Sequence, residues 1–401
     1  MADRTVVPRL SGPSERRAPL PSLTGLRFFA AMLVFLVHTS LLSDPIRPTV
    51  PISFFADQDI AEPLADFFRP AGGIGVSFFF VLSGFVLTWS SVPGERVTAF
   101  WRRRALKIYP NHIVTWALVM WLFAAEYTPL HAWLANLFLV HSFIDRPDTW
   151  ASVNGPAWTL CSEMFFYALF PLFILLVRRI AERWLWLSAA GMVAGIAGVT
   201  LVTRFIPGGS TTPLFNLTMD QQWFSYAFPP PRLFEFVLGM ILARIVAAGL
   251  WPRIGLLPSL AVFAAGYWAA IAAPDPYDFS LTTIVPVGMI LCAAASADLR
   301  GAGGWLGGRT MVWLGNVSFG FYLVQGLVIF YGRPEVLGGR TFGTAAAIGL
   351  LIALFLVDLL AGWLLYSLVE QPVMRRWGRS RKRPAPEVPR SRGPVPTGET
   401  V

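Results

Sequence analysis

Arg27 and His38 stand eleven residues apart in one apolar stretch, 23–42. On a helix, eleven steps of about 100° make three turns plus about 20°, so both side chains leave one face, about 16 Å apart along the axis. Ionisable groups inside a bilayer are costly, which makes each a functional candidate. Imidazole suits general-base work near neutral pH: it takes a proton from an attacking hydroxyl and returns it to a leaving group. Such a base needs an orienting partner, commonly a carboxylate. Glu163, in Trp158-Thr-Leu-Cys-Ser-Glu163, is the best candidate. It falls about six residues inside the outer end of its apolar stretch and His38 about four inside its own, which predicts a shared depth. The plainer alternatives are an interfacial anchor for Arg27, a packing histidine for His38 and a structural acceptor for Glu163.

Other groups stand beside this trio. The segment Phe100–Pro110 carries Arg102, Arg103, Arg104 and Lys107, enough cations to hold a phosphorylated ligand arriving from the cytosol. Plain positive-inside topology also explains them. The glycine-rich stretch after Gly72 places Gly73, Ser77 and Gly84 on one face, suited to close helix contact, with Ser83 able to donate into a site. Arg232 and Glu235, three apart, can neutralise each other. Gln325 and Asp358 have no evident local partner. His112, His131 and His141 lack metal-ligand spacing, and neither Cys161 nor Cys292 reads as a disulfide or metal half-site. No phosphate-loop, dinucleotide or zinc motif occurs, so no metal is expected.

Composition says what must position these groups. The 401 residues are 55% hydrophobic and only 14% charged, with a mean hydropathy of +0.57. Soluble domains carry about 25% charged residues, and a soluble fold of this size cannot hide so many apolar side chains. An ordinary soluble enzyme, a disordered chain, a coiled coil and a disulfide scaffold are excluded. Apolar stretches of about 20 residues predict an all-α, polytopic transmembrane helix bundle of about ten spans. These are 23–42, 71–92, 108–126, 157–178, 184–205, 232–249, 255–273, 281–298, 311–332 and 342–369. His131–Phe143 is too short to cross and reads as re-entrant or interfacial. With the N-terminus inside, only Arg47, Arg69, Arg146, Arg333 and Arg340 of the 32 Lys and Arg fall in outer segments. That bias predicts two cytoplasmic termini and a multi-pass protein of the cytoplasmic membrane. Residues 1–22 and 373–401 read as basic, disordered cytoplasmic tails around one membrane domain, 23–372. The net charge of +9 therefore reports sidedness, and no nucleic-acid partner is expected.

Taken in order, the motifs resemble the acyltransferase type 3 family, integral-membrane enzymes that move acyl groups onto hydroxyls of sugars and natural products. The resemblance runs from Leu23 to about Pro372. It rests on Arg27 and His38, the run Gly75 to Phe85, the basic segment Arg103 to Pro110, and Trp158 to Glu163. Phe234 to Gly239 and Leu314 to Leu323 add to it. Three positions depart from the family pattern: Lys107 replaces an arginine, Gln325 a histidine, and Met164 a second carboxylate. The resemblance implies acyl-CoA as donor substrate with no tightly bound cofactor. It makes His38 the base, Glu163 its orienting partner or an acceptor contact, and Arg27 a lining of the donor path. It implies Arg103, Arg104 and Lys107 as phosphate ligands, with Ser83 and Trp158 as further substrate contacts. The start of the first span looks most like acyltransferases of macrolides, implying a hydroxylated macrolide or sugar acceptor. Cell-envelope glycan O-acetylation is the alternative acceptor chemistry, and a proton-relaying transporter the alternative class.

Overall fold

The computed structural model describes residues 17–43, 51–211, 217–276 and 280–378. Its architecture there is a helical bundle. Twelve principal helices are α1 (Pro21–Ser40), α2 (Gln58–Phe68), α3 (Ala71–Ser90), α4 (Val97–Val119), α5 (Leu130–Leu137), α6 (Trp158–Arg179), α7 (Leu185–Thr203), α8 (Pro229–Ala247), α9 (Leu256–Ala272), α10 (Ile284–Leu299), α11 (Arg309–Gln325) and α12 (Thr344–Leu365). Every expected span overlaps one of them. Wider π turns prolong α4, α11 and α12, over Met120–Ala124, Gly326–Gly332 and Tyr366–Glu370.

Among the described residues, six helical stretches are long and apolar enough to cross a membrane: Pro21–Ser40, Gln58–Ser90, Gly155–Arg179, Glu182–Thr203, Arg309–Leu337 and Thr344–Trp377. α9 and α10 are apolar but shorter. α4 and α8 carry several charged residues each, which lowers their hydropathy. α5, with eight residues, extends only about 12 Å, so the short segment beginning at His131 cannot cross as a helix. Residues 1–16 and 379–401, most of the two expected tails, lie outside the described residues. Of the remainder, 373–377 continue in a short helix, Gln371–Trp377.

α3 is the centre of the bundle. In its apolar stretch 83% of residues are buried, against 17% along α12, which faces outward. α1 and α8 flank α3, α11 packs on α1, and α12 packs on α11. Small residues set the closest of these contacts. A Cβ on Gly84 would lie 1.9 Å from the carbonyl oxygen of Phe236, and one on Gly239 would lie 1.9 Å from that of Val81. Two backbones touch where lipid-like side chains alone offer little drive to associate.

Several polar groups in this core are paired. Arg232 and Glu235 form a buried ion pair at 3.2 Å, as their spacing predicts. Ser77 of α3 donates to Glu235 (3.1 Å) and accepts from Arg232 (3.1 Å). Asp298, in the last turn of α10, stands over the start of α1: Ser22 donates to it through its backbone N–H (2.9 Å) and its hydroxyl (2.6 Å). α1 has no capping side chain of its own, so this carboxylate satisfies the helix end. It also fixes the depth of the helix that carries Arg27 and His38.

Candidate active site

α1 is unbroken from Pro21 to Ser40, so Arg27 and His38 keep the same-face geometry, about 16 Å apart along the axis. They face two different environments. His38 lies on the wall of a cavity of about 790 Å³, lined also by Trp158, Tyr226, Tyr322, Phe330 and Arg69. That volume is at the large end for small-molecule sites. Trp158 sits 4.7 Å from Tyr226 between ring centroids, the rings tilted by 44°, giving the cavity an aromatic wall.

The imidazole is oriented by Gln325, whose Oε1 lies 2.9 Å from His38 Nδ1. The amide of Gln325 points its Nε2 at the carbonyl of Ala31, 3.5 Å away. Oε1 is therefore the atom turned to the ring, so Nδ1–H donates and Nε2 keeps its lone pair. The ring edge rests on Phe330 at 4.9 Å. Gln325 is the last residue of α11 before its π turn, a kind of helix defect frequent at functional sites.

Glu163 belongs to the other environment. It accepts from Tyr167 Oη at 3.1 Å, and Ser83 Oγ stands 3.3 Å from the same hydroxyl. Its surrounding cations are Arg27, Lys107 and Arg104. The expected shared depth of His38 and Glu163 is not kept: Glu163 falls past the His38 level, among Arg27, Arg104 and Lys107. The reason is where α6 starts. Trp158, its first residue, already lines the His38 cavity, and five further residues carry Glu163 about 7.5 Å past that level. Asn154 holds this start inside the bundle by donating to the carbonyl of Leu323 (3.1 Å).

The basic segment is helical from Val97 onward, although most of it falls between the expected spans 71–92 and 108–126. Helical geometry separates its cations. Arg103 pairs with Glu95, and Lys107 pairs with Glu370. Glu370 also accepts from Asn111 at 2.8 Å. Arg104 lies over the rings of Phe100 (5.6 Å) and Tyr167 (5.8 Å). The Nε atoms of Arg27 and Arg104 are buried with no hydrogen-bond partner among the described residues, so each has a donor free for a bound group.

Sequence reasoning missed Gln325 as the partner of His38, Tyr167 as the partner of Glu163, and Glu370 as the partner of Lys107 and Asn111 on α4. Only Tyr167 left a local signal, four residues after Glu163 on the same helix face. Substitution Gln325→Leu keeps volume and removes the acceptor. Losing a buried hydrogen bond costs about 1–3 kcal/mol, so kcat is expected to fall about 5- to 150-fold. The apparent KM for donor should stay near the parent value, and the pH–rate profile should shift. An unchanged kcat and profile would show that Gln325 does not position the ring.

A histidine on the wall of a large cavity and a cluster of cations around Glu163 thus lie within one bundle of apolar helices. The chain belongs to the acyltransferase 3 family: the family model described as "Acyltransferase domain" matches residues 20–368. It is 39% identical over 374 residues to "Acyltransferase MdmB" of Streptomyces mycarofaciens, covering 90% of this chain and 93% of that protein. More distant relatives include "Putative peptidoglycan O-acetyltransferase YrhL" of Bacillus subtilis, 23% identical over 91% of this chain and 56% of that one. "Exopolysaccharide production protein ExoZ" of Rhizobium meliloti is 26% identical over 78% of this chain and 92% of its own length. No solved structure matches the chain. The protein is a multi-pass membrane acyltransferase, which decides against the transporter reading.

Proposed function

We propose that the protein transfers an acyl group, acetyl in the first instance, from acyl-CoA to a hydroxyl of a macrolide-type natural product. The observation that carries this reading is the free Nε2 of His38 on a cavity of about 790 Å³. Such a cavity has room for a bulky acceptor, and its aromatic lining suits one with large apolar faces. The similarity of 39% across nearly the whole length of a named acyltransferase supports the same reaction type.

In this mechanism His38 Nε2 takes the proton of the acceptor hydroxyl as its oxygen attacks the thioester carbonyl. The tetrahedral intermediate collapses with cleavage of the carbon–sulfur bond. The imidazolium returns its proton to the departing sulfur, giving an ester and CoA thiol. Gln325 accepts from Nδ1–H throughout and keeps the ring aimed. Arg27 and Arg104 line the donor's approach, and Glu163, held by Tyr167, fixes that cation cluster. Trp158 contacts the acceptor. The same reading takes ten crossings of the cytoplasmic membrane with both termini inside, placing the cavity on the outer side and the cation cluster toward the cytosol.

The test is incubation of purified protein with radiolabelled acetyl-CoA and a panel of macrolides and cell-envelope glycans, with products followed by mass spectrometry. The expected product is a mono-O-acetylated macrolide. Label found only in glycan would overturn the acceptor and favour the chemistry named for the more distant relatives.

A further inference from the structure

At the end of the bundle where α1 begins, three guanidinium groups converge from separate elements. Arg17, ahead of α1, lies over the Trp89 ring at 4.9 Å. That ring is held in place by its own N–H bond to the carbonyl of Ala18 (2.9 Å). Arg178 of α6 donates to the hydroxyl of Ser91 at 2.8 Å. Arg244 of α8 donates to the carbonyl of Val177. Each of the three lies within electrostatic reach of the others.

Their neighbours supply no counter-charge. Among the described residues, no carboxylate pairs with any of the three; their contacts are an aromatic ring, a hydroxyl and backbone carbonyls. On α4 the opposite holds: Arg103 and Lys107 both have carboxylate partners. Like charges in reach of one another repel, and no neighbouring carboxylate among the described residues offsets that repulsion. A helix C-terminus favours a cation, which accounts for Arg178 and Arg244 singly, since both stand in the last turn of their helices. It does not account for Arg17, which precedes a helix N-terminus, where positive charge is disfavoured. Each guanidinium has five N–H donors, so most of the donors in this cluster are left unused by the described residues.

We propose that Arg17, Arg178 and Arg244 form a phosphate-binding site at the membrane surface, distinct from the α4 cations. Arginine forks match phosphate oxygens in geometry as well as charge. Two sources offer that chemistry: the phosphorylated nucleotide end of the donor and the headgroup of an anionic phospholipid. The first rests on the acyl-CoA reading above and fits the layout. Arg178 follows Tyr167 by eleven residues, about 16 Å along α6, so the site lies outward of the Arg104–Tyr167 contact on the same helix.

The experiment uses the full chain in nanodiscs, with Arg17→Gln alone and with all three arginines changed to glutamine. Exposed Arg253→Gln serves as the charge-matched control, and size-exclusion profiles establish that each variant is folded. In phosphatidylcholine discs the probe is adenosine 3′,5′-bisphosphate. Binding to the parent protein, weakened at least tenfold in the triple variant, several-fold in Arg17→Gln and unchanged in Arg253→Gln, assigns the site to the nucleotide. In discs with phosphatidylglycerol the readout is lipid-dependent thermal stabilisation. Its loss in the triple variant, with no nucleotide effect in the first arm, assigns the site to the headgroup. Unaltered behaviour of the triple variant in both arms overturns the proposal. Transfer from S-acetyl-N-acetylcysteamine, a donor without phosphates, is measured in parallel. If the parent protein uses neither this donor nor acetyl-CoA, the acyl-transfer reading fails, while the binding result stands on its own.

Discussion

Alanine at position 38 is expected to slow acyl transfer by about two to four orders of magnitude, the usual contribution of a positioned general base. The effect belongs in kcat, because the imidazole acts on the acceptor hydroxyl only as the ester forms. Donor KM should change little, since the cations nearest Glu163 lie about three helical turns away along α1. Folding should survive the change. His38 stands on a cavity wall, and its contacts are one hydrogen bond to Gln325 and an edge contact with Phe330. Initial rates with saturating acetyl-CoA, alongside the yield of monodisperse protein, separate the two effects. A folded variant within about threefold of the parent rate would remove His38 from the mechanism, since threefold is only about 0.7 kcal/mol in the barrier.

Hydropathy made the helices legible because it is a local property: a run of apolar residues long enough to cross a membrane announces itself without reference to the rest of the chain. α1, α3, α6 and α12 lie where those runs fall. The first half of α4 does not announce itself, since Arg102, Arg103, Arg104 and Lys107 interrupt any apolar run. Its helicity there is supported by tertiary partners, among them Glu370, which is 263 residues from Lys107 in sequence. The ends of elements were equally hidden. α6 starts inside the bundle because Asn154 reaches the carbonyl of Leu323, and that displacement carries Glu163 away from the level of His38 and toward the cations Arg27, Arg104 and Lys107.

The candidate site divides in the same way. Residue type and helical spacing identified Arg27, His38 and Glu163 as chemically loaded positions, since a costly intramembrane charge is visible in any sequence. Their partners were not visible. Gln325 and His38 are 287 residues apart, and nothing in the local pattern of α11 links that amide to α1. The substitution of glutamine for the histidine of the family pattern removes a titrating group yet keeps an acceptor. The structure uses that acceptor to fix the His38 tautomer, which a second imidazole does only in one of its own two tautomers.

The largest structural effect is expected where α3 and α8 touch. Valine at Gly239 places its Cβ 1.9 Å from the Val81 carbonyl oxygen, and valine at Gly84 does the same against Phe236. The obstacles are backbone atoms, so no rotamer change relieves the clash and the helices must separate. Overpacking costs about 1–3 kcal/mol in ordinary cores, occasionally more; here the upper end applies, because separation also loosens Ser77 from the Arg232–Glu235 pair. Either variant is expected to lose most of its monodisperse yield in detergent and several degrees of melting temperature. Gly191→Ala and Gly349→Ala provide the internal comparison: both glycines are helical, and a Cβ on either meets nothing within 4 Å. Alanine there should hold or raise stability, by up to about 1 kcal/mol from helix propensity. If Gly239→Val purified and melted like Gly191→Ala, the α3–α8 crossing could not be the close backbone contact on which the core is built.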